Sequence, residues 1–248
     1  MKKLFIFFLC FVLCLSACGT EVPEQPEIPM QPSFENFFEE PDEEPSKPED
    51  FFTYEAYPVK TWTSSIGTPW AQVVLKVTNI LSENLYLNSS SIDLETETGA
   101  LFATQNYINA YPQIIAPGES AYYYETIMLD SEPPEELIGN WHINVQSAAV
   151  EQIQFPVTDV TISSNNYGYI KAIGRVENTT SEQQNFVLVS IMLFDAKDAP
   201  IGHMFTYVDL GANDKMGFEC SGTSLPPDVT VDAIASYVAV AYPQQYQF

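Results

Sequence analysis

Short stretches of alternating apolar and polar residues fill the chain from residue 51 onward, and Asn, Ser, Gly and Pro residues separate them. Residues 73–78 (VVLKVT) and 170–177 (IKAIGRVE) both follow a period of two. Successive side chains of a β-strand point to opposite faces, so this period predicts strands that bury one face. No window shows a sustained period of 3.6 residues. The pattern therefore predicts an all-β chain of antiparallel strands.

Five landmarks occur twice in the same order, about 95 to 100 residues apart, which indicates two copies of one fold. The pairs are residues 77–79 (VTN) with 176–178 (VEN), 94–95 with 194–195, 116–120 (APGES) with 211–215 (GANDK), 133–134 with 226–227, and 141–145 with 235–240. Each copy has room for about seven short strands, the size of an immunoglobulin-like sandwich. We predict two tandem immunoglobulin-like antiparallel β-sandwiches, over residues 51–156 and 157–248, after a disordered stalk.

The N-terminus has the parts of an export signal: two lysines, an apolar run over residues 4–15 and a small-residue cleavage site. The apolar run is too short to span a bilayer as a stable helix. Residues 15–18 (LSAC) resemble the bacterial lipobox, in which the cysteine receives diacylglycerol and the chain is cut just before it. This resemblance implies a signal peptide over residues 1–17, a lipid on Cys18, and an anchor on the extracytoplasmic face of a bacterial membrane. An ordinary secretory signal and an N-terminal transmembrane anchor are the alternatives.

Residues 18–50 carry seven prolines and eleven acidic residues, with Lys47 as their single base. Proline stiffens the backbone and like charges repel one another, so this segment is predicted to be a disordered, extended stalk. Once residues 1–17 are removed, the cysteines that remain are Cys18 and Cys220. With lipid on Cys18 no disulfide can form, and the sandwiches must be held together by apolar cores.

One aromatic segment interrupts the stalk, with Phe34, Phe37 and Phe38 at positions i, i+3 and i+4. This spacing places the three rings on one side of a helical turn, so they are candidate residues for binding a partner. The alternative, which we favour, is that the rings fold back onto the first sandwich.

The formal net charge is −24, which repels nucleic-acid backbones and anionic lipid headgroups. We therefore expect no nucleic-acid partner. The expected membrane contact is the lipid on Cys18, and the expected partner is an envelope protein or a cell-wall component.

The sequence offers little chemistry. The two histidines, His142 and His203, do not occupy matching positions in the repeat, and no cysteine pair accompanies them, so we predict structural roles and no metal site. None of the common hydrolase motifs occurs. Glu219 would raise the pKa of its neighbour Cys220 rather than activate it. We expect no cofactor, no catalytic residue and no enzymatic activity.

Acidic and aromatic clusters in the sequence are further candidates for binding sites. Residues 93–97 (DLETE) and the pair Asp195 and Asp198 could gather calcium, but neither follows a calcium-binding pattern, and solvated turn acids are the favoured interpretation. A second group could form a stacking platform for a sugar or peptide, although core packing is favoured because alternation sends at least one of the tyrosines inward. Its members are Tyr122, Tyr123, Tyr124, Trp62, Trp70 and Trp141.

Residues 191–195 (IMLFD) resemble the naming motif of the FxLYD family of bacterial exported domains. Asn178-Thr179-Thr180 before them and residues 196–202 (AKDAPIG) after them fit the layout of that family, over roughly residues 160–242. Ile191 stands where the motif has Phe, and Phe194 where it has Tyr. The first copy is similar to immunoglobulin-like domains of Gram-positive lipoproteins through its VTN and APGES segments. These resemblances imply β-sandwiches in an extracytoplasmic setting and bring no catalytic residues.

Two functional hypotheses follow. The leading one is a membrane-anchored, non-enzymatic lipoprotein that acts as an interaction or spacer module. The alternative is an accessory lipoprotein that binds a sugar, peptide or cation for a transporter or a cell-wall enzyme. The alternative predicts a concave pocket lined by Trp and Tyr side chains, whereas the leading hypothesis predicts flat faces.

Overall fold

The computed structural model describes residues 51–166, 168–222 and 225–244. The predicted signal peptide, Cys18, the stalk and the Phe34, Phe37 and Phe38 segment lie outside these residues. The described part contains seventeen β-strands, one 3₁₀ turn and no α-helix. Every strand pair is antiparallel. The prediction of an antiparallel all-β fold is confirmed.

Eleven strands form the first sandwich: β1 (Phe52–Ala56), β2 (Lys60–Thr63), β3 (Pro69–Asn79), β4 (Asn84–Leu87), β5 (Ser90–Thr96), β6 (Leu101–Ile108), β7 (Ala110–Tyr111), β8 (Ile114–Ile115), β9 (Ser120–Met128), β10 (Leu137–His142) and β11 (Val145–Ala148). Six form the second: β12 (Val157–Ser164), β13 (Ile170–Glu177), β14 (Gln184–Phe194), β15 (Pro200–Leu210), β16 (Lys215–Ser221) and β17 (Ser236–Pro243), with a 3₁₀ turn at Val231–Ala233.

The two sandwiches share one strand order. In the first, β3 lies between β1 and β9, and in the second β13 lies between β12 and β16. The opposite layer of the second sandwich has β14 between β15 and β17. In the first sandwich the same layer is split into two sheets, β10-β5-β6 and β11-β4-β8. Their central strands, β5 and β4, together correspond to the single strand β14. The predicted repeat is therefore visible in the strand order.

Two matched asparagines hold equivalent turns. Asn79 and Asn178 are both fully buried at the ends of β3 and β13. The side-chain amide of Asn79 donates to the carbonyl oxygens of Glu83 and Ile115 at 2.8 and 3.0 Å. The Asn178 amide makes the same two bonds in the second sandwich, at 2.7 and 2.8 Å. Each side-chain oxygen also accepts a backbone N–H two residues further on, so buried turn groups are satisfied in the same way in both copies.

The turns after the central strands also match, in a register one residue away from the predicted one. The backbone N–H of Thr96 donates to the oxygen of Ala100, and that of Asp195 donates to Ala199. Thr96 therefore corresponds to Asp195, whereas the internal sequence repeat pairs Glu95 with Asp195.

Each sandwich has its own apolar core. Strand β14 belongs to the second core and is also buried on the face that points away from it. The first core draws on residues from Phe52 to Leu137, and the second on residues from Phe155 to Ala241. Strand β5 alternates between buried and half-buried positions, as a strand with one covered face does. In β14 all eight residues from Val187 to Phe194 are buried. Strand β14 is therefore covered on both faces.

Candidate binding cleft between the sandwiches

The outer face of β14 packs on the outer face of β3 and β9. Met192 and Phe194 form a third buried cluster with Val74 and Tyr124 of the first sandwich. The ring of Tyr122 meets that of Phe194 edge-on, with centroids 5.6 Å apart. Apolar side chains of both sandwiches thus leave water together, and this contact joins the two sandwiches.

The triple tyrosine of β9 splits as strand alternation predicts. Tyr123 is fully buried in the first core, where its hydroxyl donates to the carbonyl oxygen of Asn88 at 2.8 Å. Tyr122 and Tyr124 point the other way, toward the second sandwich. Trp141 also packs on Tyr123, with centroids 6.0 Å apart, so both belong to the core and not to a binding platform.

His203 lies in the contact between the sandwiches. Its ring centroid is 4.2 Å from that of Tyr111 and 5.5 Å from that of Tyr124, both in the first sandwich. Its Nε2 is 2.8 Å from the hydroxyl oxygen of Ser190. Burial lowers the pKa of His203 to about 3, so the ring is neutral at physiological pH. His203 therefore acts as a packing group with one polar partner.

A cleft of about 580 Å³ opens beside this contact and is lined by both sandwiches. Trp62 and Trp70 form its aromatic side. They are direct cross-strand partners on β2 and β3, with centroids 6.5 Å apart and planes within 13° of parallel. Tyr169, Leu225 and adjoining prolines line it from the second sandwich. Its volume is within the range of about 300–1,000 Å³ that is usual for small-ligand sites.

Two equivalent hairpin turns frame the cleft. In the β2–β3 turn the N–H of Gly67 donates to Ser64, and in the β12–β13 turn the N–H of Gly168 donates to Asn165. Both glycines have φ of +83°, a conformation that other residues rarely adopt. The same turn chemistry therefore builds the rim from each copy of the repeat.

The described lining carries hydroxyl groups and apolar side chains but no charged side chain. Five hydroxyl side chains line the cleft, those of Thr63, Ser64, Ser65, Thr68 and Thr126. At the surface nearby, Lys60 of the first sandwich forms an ion pair with Asp228 of the second. That pair offsets the charge of Lys60, and because both groups are exposed it adds little stability.

A second cavity of about 540 Å³ lies at another edge of the contact. Its lining mixes Glu55, Lys76, Lys197 and Asp198 with the rings of Tyr57, Tyr122 and Phe194. Charges of both signs are present, so the cavity favours neither a cation nor an anion.

The other residues singled out in the sequence do not meet at a site. His142 contacts Asp93 at 3.0 Å on the surface, and the pKa of Asp93 is lowered by hydrogen bonds from Thr104 and His142. Cys220 is buried, and burial together with Glu219 raises its pKa to about 12. Among the described residues, no group of three or more His, Cys, Asp or Glu side chains is arranged to hold a metal ion.

Asp195 has a structural task in its turn. Its carboxylate accepts the backbone N–H groups of Lys197 and Ala199, at 2.8 and 3.0 Å, and these bonds lower its pKa. The preferred interpretation of Asp195 as a turn acid agrees with this geometry.

The sequence indicates only part of the cleft. It predicts Trp62 and Trp70 as members of an aromatic group but gives no sign of Tyr169, which joins the cleft through packing between the sandwiches, or of Thr126, which the pairing of β9 with β3 places near Trp70. The pair Pro226-Pro227, a landmark of the sequence repeat, also lines the cleft. The eight-residue spacing of the tryptophans around Ser64 and Gly67 was the available signal for their cross-strand pairing.

Comparison with known proteins adds no relative. No family model matches the chain, and no curated protein matches it either. No helix in the described part of the chain is long and apolar enough to cross a membrane.

Proposed function

We propose that this chain is a membrane-anchored extracytoplasmic lipoprotein of a bacterial, Gram-positive envelope, and that it acts as a non-enzymatic interaction module. The observation that carries the proposal is the buried contact of Met192 and Phe194 with Val74 and Tyr124. Because this contact holds the two sandwiches together, their exposed surfaces beside it form one continuous face, which we call the composite face. A partner can then contact both copies of the repeat at once.

The anchor and the stalk complete this proposal. A lipid on Cys18 would hold the chain at the membrane, and residues 18–50 would carry the sandwiches away from it. Replacing Cys18 with alanine is expected to release the protein from membranes or leave it unprocessed, as followed by membrane fractionation and mass spectrometry. A Cys18→Ala protein that matures and stays membrane-bound would contradict the lipid anchor.

The interaction role is tested with the full-length chain as bait, crosslinked in intact cells and purified from their envelopes. A Phe34→Ser, Phe37→Ser, Phe38→Ser variant tests the stalk, and a Phe194→Ala variant tests the composite face. We expect the partner to be lost with Phe194→Ala and kept with the triple variant. Substrate turnover by the purified chain that one carboxylate substitution abolishes would refute a non-enzymatic role.

A second candidate function is supported by one specific feature. The accessory-lipoprotein hypothesis predicts a concave pocket lined by Trp and Tyr side chains, and Trp62, Trp70 and Tyr169 line such a cleft. In that role the chain captures a small ligand for an envelope enzyme or transporter.

A further inference from the structure

We propose that the cleft between the sandwiches binds a short, neutral oligosaccharide, with Trp62 and Trp70 as its stacking surface. This inference rests on the proposed role of the chain as a binding module and names the class of ligand. The two indoles have nearly parallel planes and line the cleft together. A pyranose ring has an apolar C–H face and a hydroxyl-bearing edge, so it matches flat aromatic side chains that are surrounded by hydroxyl groups.

The charge of the site excludes ionic ligands. None of the described residues that line the cleft is charged, and Lys60 near it is paired with Asp228. From residue 51 to the C-terminus the chain has six basic and 22 acidic residues, so the surrounding field repels anions. A cationic ligand would need a carboxylate in the lining to replace its hydration, and the described lining has none. The carboxylate of Glu132, next to the lining, already accepts the hydroxyl of Thr63. A neutral ligand meets neither obstacle.

The polar groups of the cleft suit hydroxyl partners. The described lining has five Ser and Thr hydroxyls, and a hydroxyl group can donate and accept hydrogen bonds at once, as sugar hydroxyls do. The hydroxyl of Thr63 already donates to Glu132 at 2.8 Å, and that of Ser64 accepts the backbone N–H of Thr68 at 3.0 Å. Gln72 is the direct cross-strand partner of Thr126, which lines the cleft, and it is only 3% exposed. Its Oε1 accepts no hydrogen bond within the described part of the chain. Gln72 is not among the residues that line the cleft, so this acceptor is a neighbour of the site and not part of it.

The test uses the full-length chain in detergent and isothermal titration with four probes. The probes are cellotetraose, chitotetraose, decaproline and choline. We expect at least one tetrasaccharide to bind with a Kd between about 10 μM and 1 mM, and decaproline and choline not to bind. Binding of decaproline or choline without a sugar, or no binding of either sugar at 10 mM, would overturn the proposal.

Variants then locate the bound sugar. Trp62→Ala and Trp70→Ala are each expected to weaken binding at least about tenfold. Trp62 and Trp70 also pack on each other, so the melting temperature of each variant is measured. Tyr169→Ala gives an independent answer, because Tyr169 is 51% exposed and contributes little to folding. It is expected to weaken binding about fivefold at an unchanged melting temperature.

Tyr107→Ala is the matched control, since Tyr107 is an 83% exposed aromatic that does not line the cleft. Sugar affinity that is unchanged in the Trp62, Trp70 and Tyr169 variants would refute the site. Crosslinked partner capture separates the two proposals. If capture persists while no sugar binds, the oligosaccharide proposal fails and the interaction role stands.

Discussion

The two sandwiches share a framework and differ in the outer face of one layer. Strand order, buried end-of-strand asparagines and glycine-containing hairpins correspond between them. The central strand of the second sandwich, β14, is buried over its last eight residues, whereas β5 of the first alternates between buried and half-buried residues. The residues that the two copies share therefore determine the fold of each sandwich, and the residues in which they differ determine the contact between the sandwiches.

The continuous apolar run of β14 is the feature of the sequence that indicates the contact between the sandwiches. Odd positions such as Ile191 and Leu193 enter the second core, while Met192 and Phe194 enter the contact with the first sandwich. A strand that is covered on both faces loses the period of two. The difference between β5 and β14 thus separates a strand with one covered face from one at an interface.

The largest effect is expected from breaking this contact at Phe194. Replacing Phe194, which is 6% exposed, with alanine removes a buried ring and its edge contact with Tyr122. We expect a loss of about 4 kcal/mol in the free energy of unfolding. The sandwiches should then unfold in two calorimetric transitions instead of one.

Phe186→Ala is the control for this prediction, because Phe186 lies on the same strand but is 62% exposed. It should cost less than about 1 kcal/mol and keep the single transition. Equal losses for the two phenylalanines would show that β14 gains nothing from its outer face.

The buried asparagines test whether the shared framework has equal value in the two copies. Asn79→Ala and Asn178→Ala each remove a buried amide that donates to two backbone carbonyl groups and an oxygen that accepts a backbone N–H. We expect each to cost about 3 kcal/mol in denaturant unfolding, because these bonds are lost together and the carbonyl groups of Ile115 and Gly211 lose this donor. The exposed Asn106→Ala serves as control and should cost less than about 0.5 kcal/mol. A large cost in one copy alone would break the equivalence.

The two histidines have different surroundings. His203 lies in the contact between the sandwiches, whereas His142 lies on the surface of the first sandwich. The pKa of His203 is lowered to about 3 by burial, whereas the unfolded chain binds this proton near pH 6.5. The unfolded state therefore binds more protons as the pH falls below 6.5, and stability decreases toward lower pH. Between pH 6.5 and 5 the loss attributable to His203 should be about 2 kcal/mol.

His203→Phe should remove this slope, which is read as the difference from the wild-type unfolding free energy at each pH. This difference also cancels the contribution of the nearby Glu125. Burial raises the pKa of Glu125, so its contribution to the unfolding free energy increases as the pH falls, opposite to that of His203. A slope that survives in His203→Phe would place the acid sensitivity elsewhere.

Local patterns were enough to predict the strands and part of the core. The period of two predicts the antiparallel all-β fold, and alternation predicts that at least one tyrosine of residues 122–124 enters the core, which is Tyr123. The cleft could not be predicted in the same way, because Tyr169 and Trp70 meet only through packing of one copy on the other. Spacing along a chain determines partners within a sheet, whereas contacts between sheets also depend on side-chain shape.

The smallest effect concerns one turn position that the two copies fill differently. Gly118 has φ of +80° and the matching Asn213 has φ of +51°. A Cβ added at Gly118 meets nothing within 4 Å, so Gly118→Ala tests backbone conformation alone. We expect it to cost about 1 kcal/mol in thermal unfolding, because alanine disfavours the left-handed region. Asn213→Gly should change stability by less than about 0.5 kcal/mol, since asparagine already tolerates this conformation. If Asn213→Gly changed stability as much as Gly118→Ala, the side chain of Asn213 would have a role that Gly118 lacks, and the turns would not be equivalent.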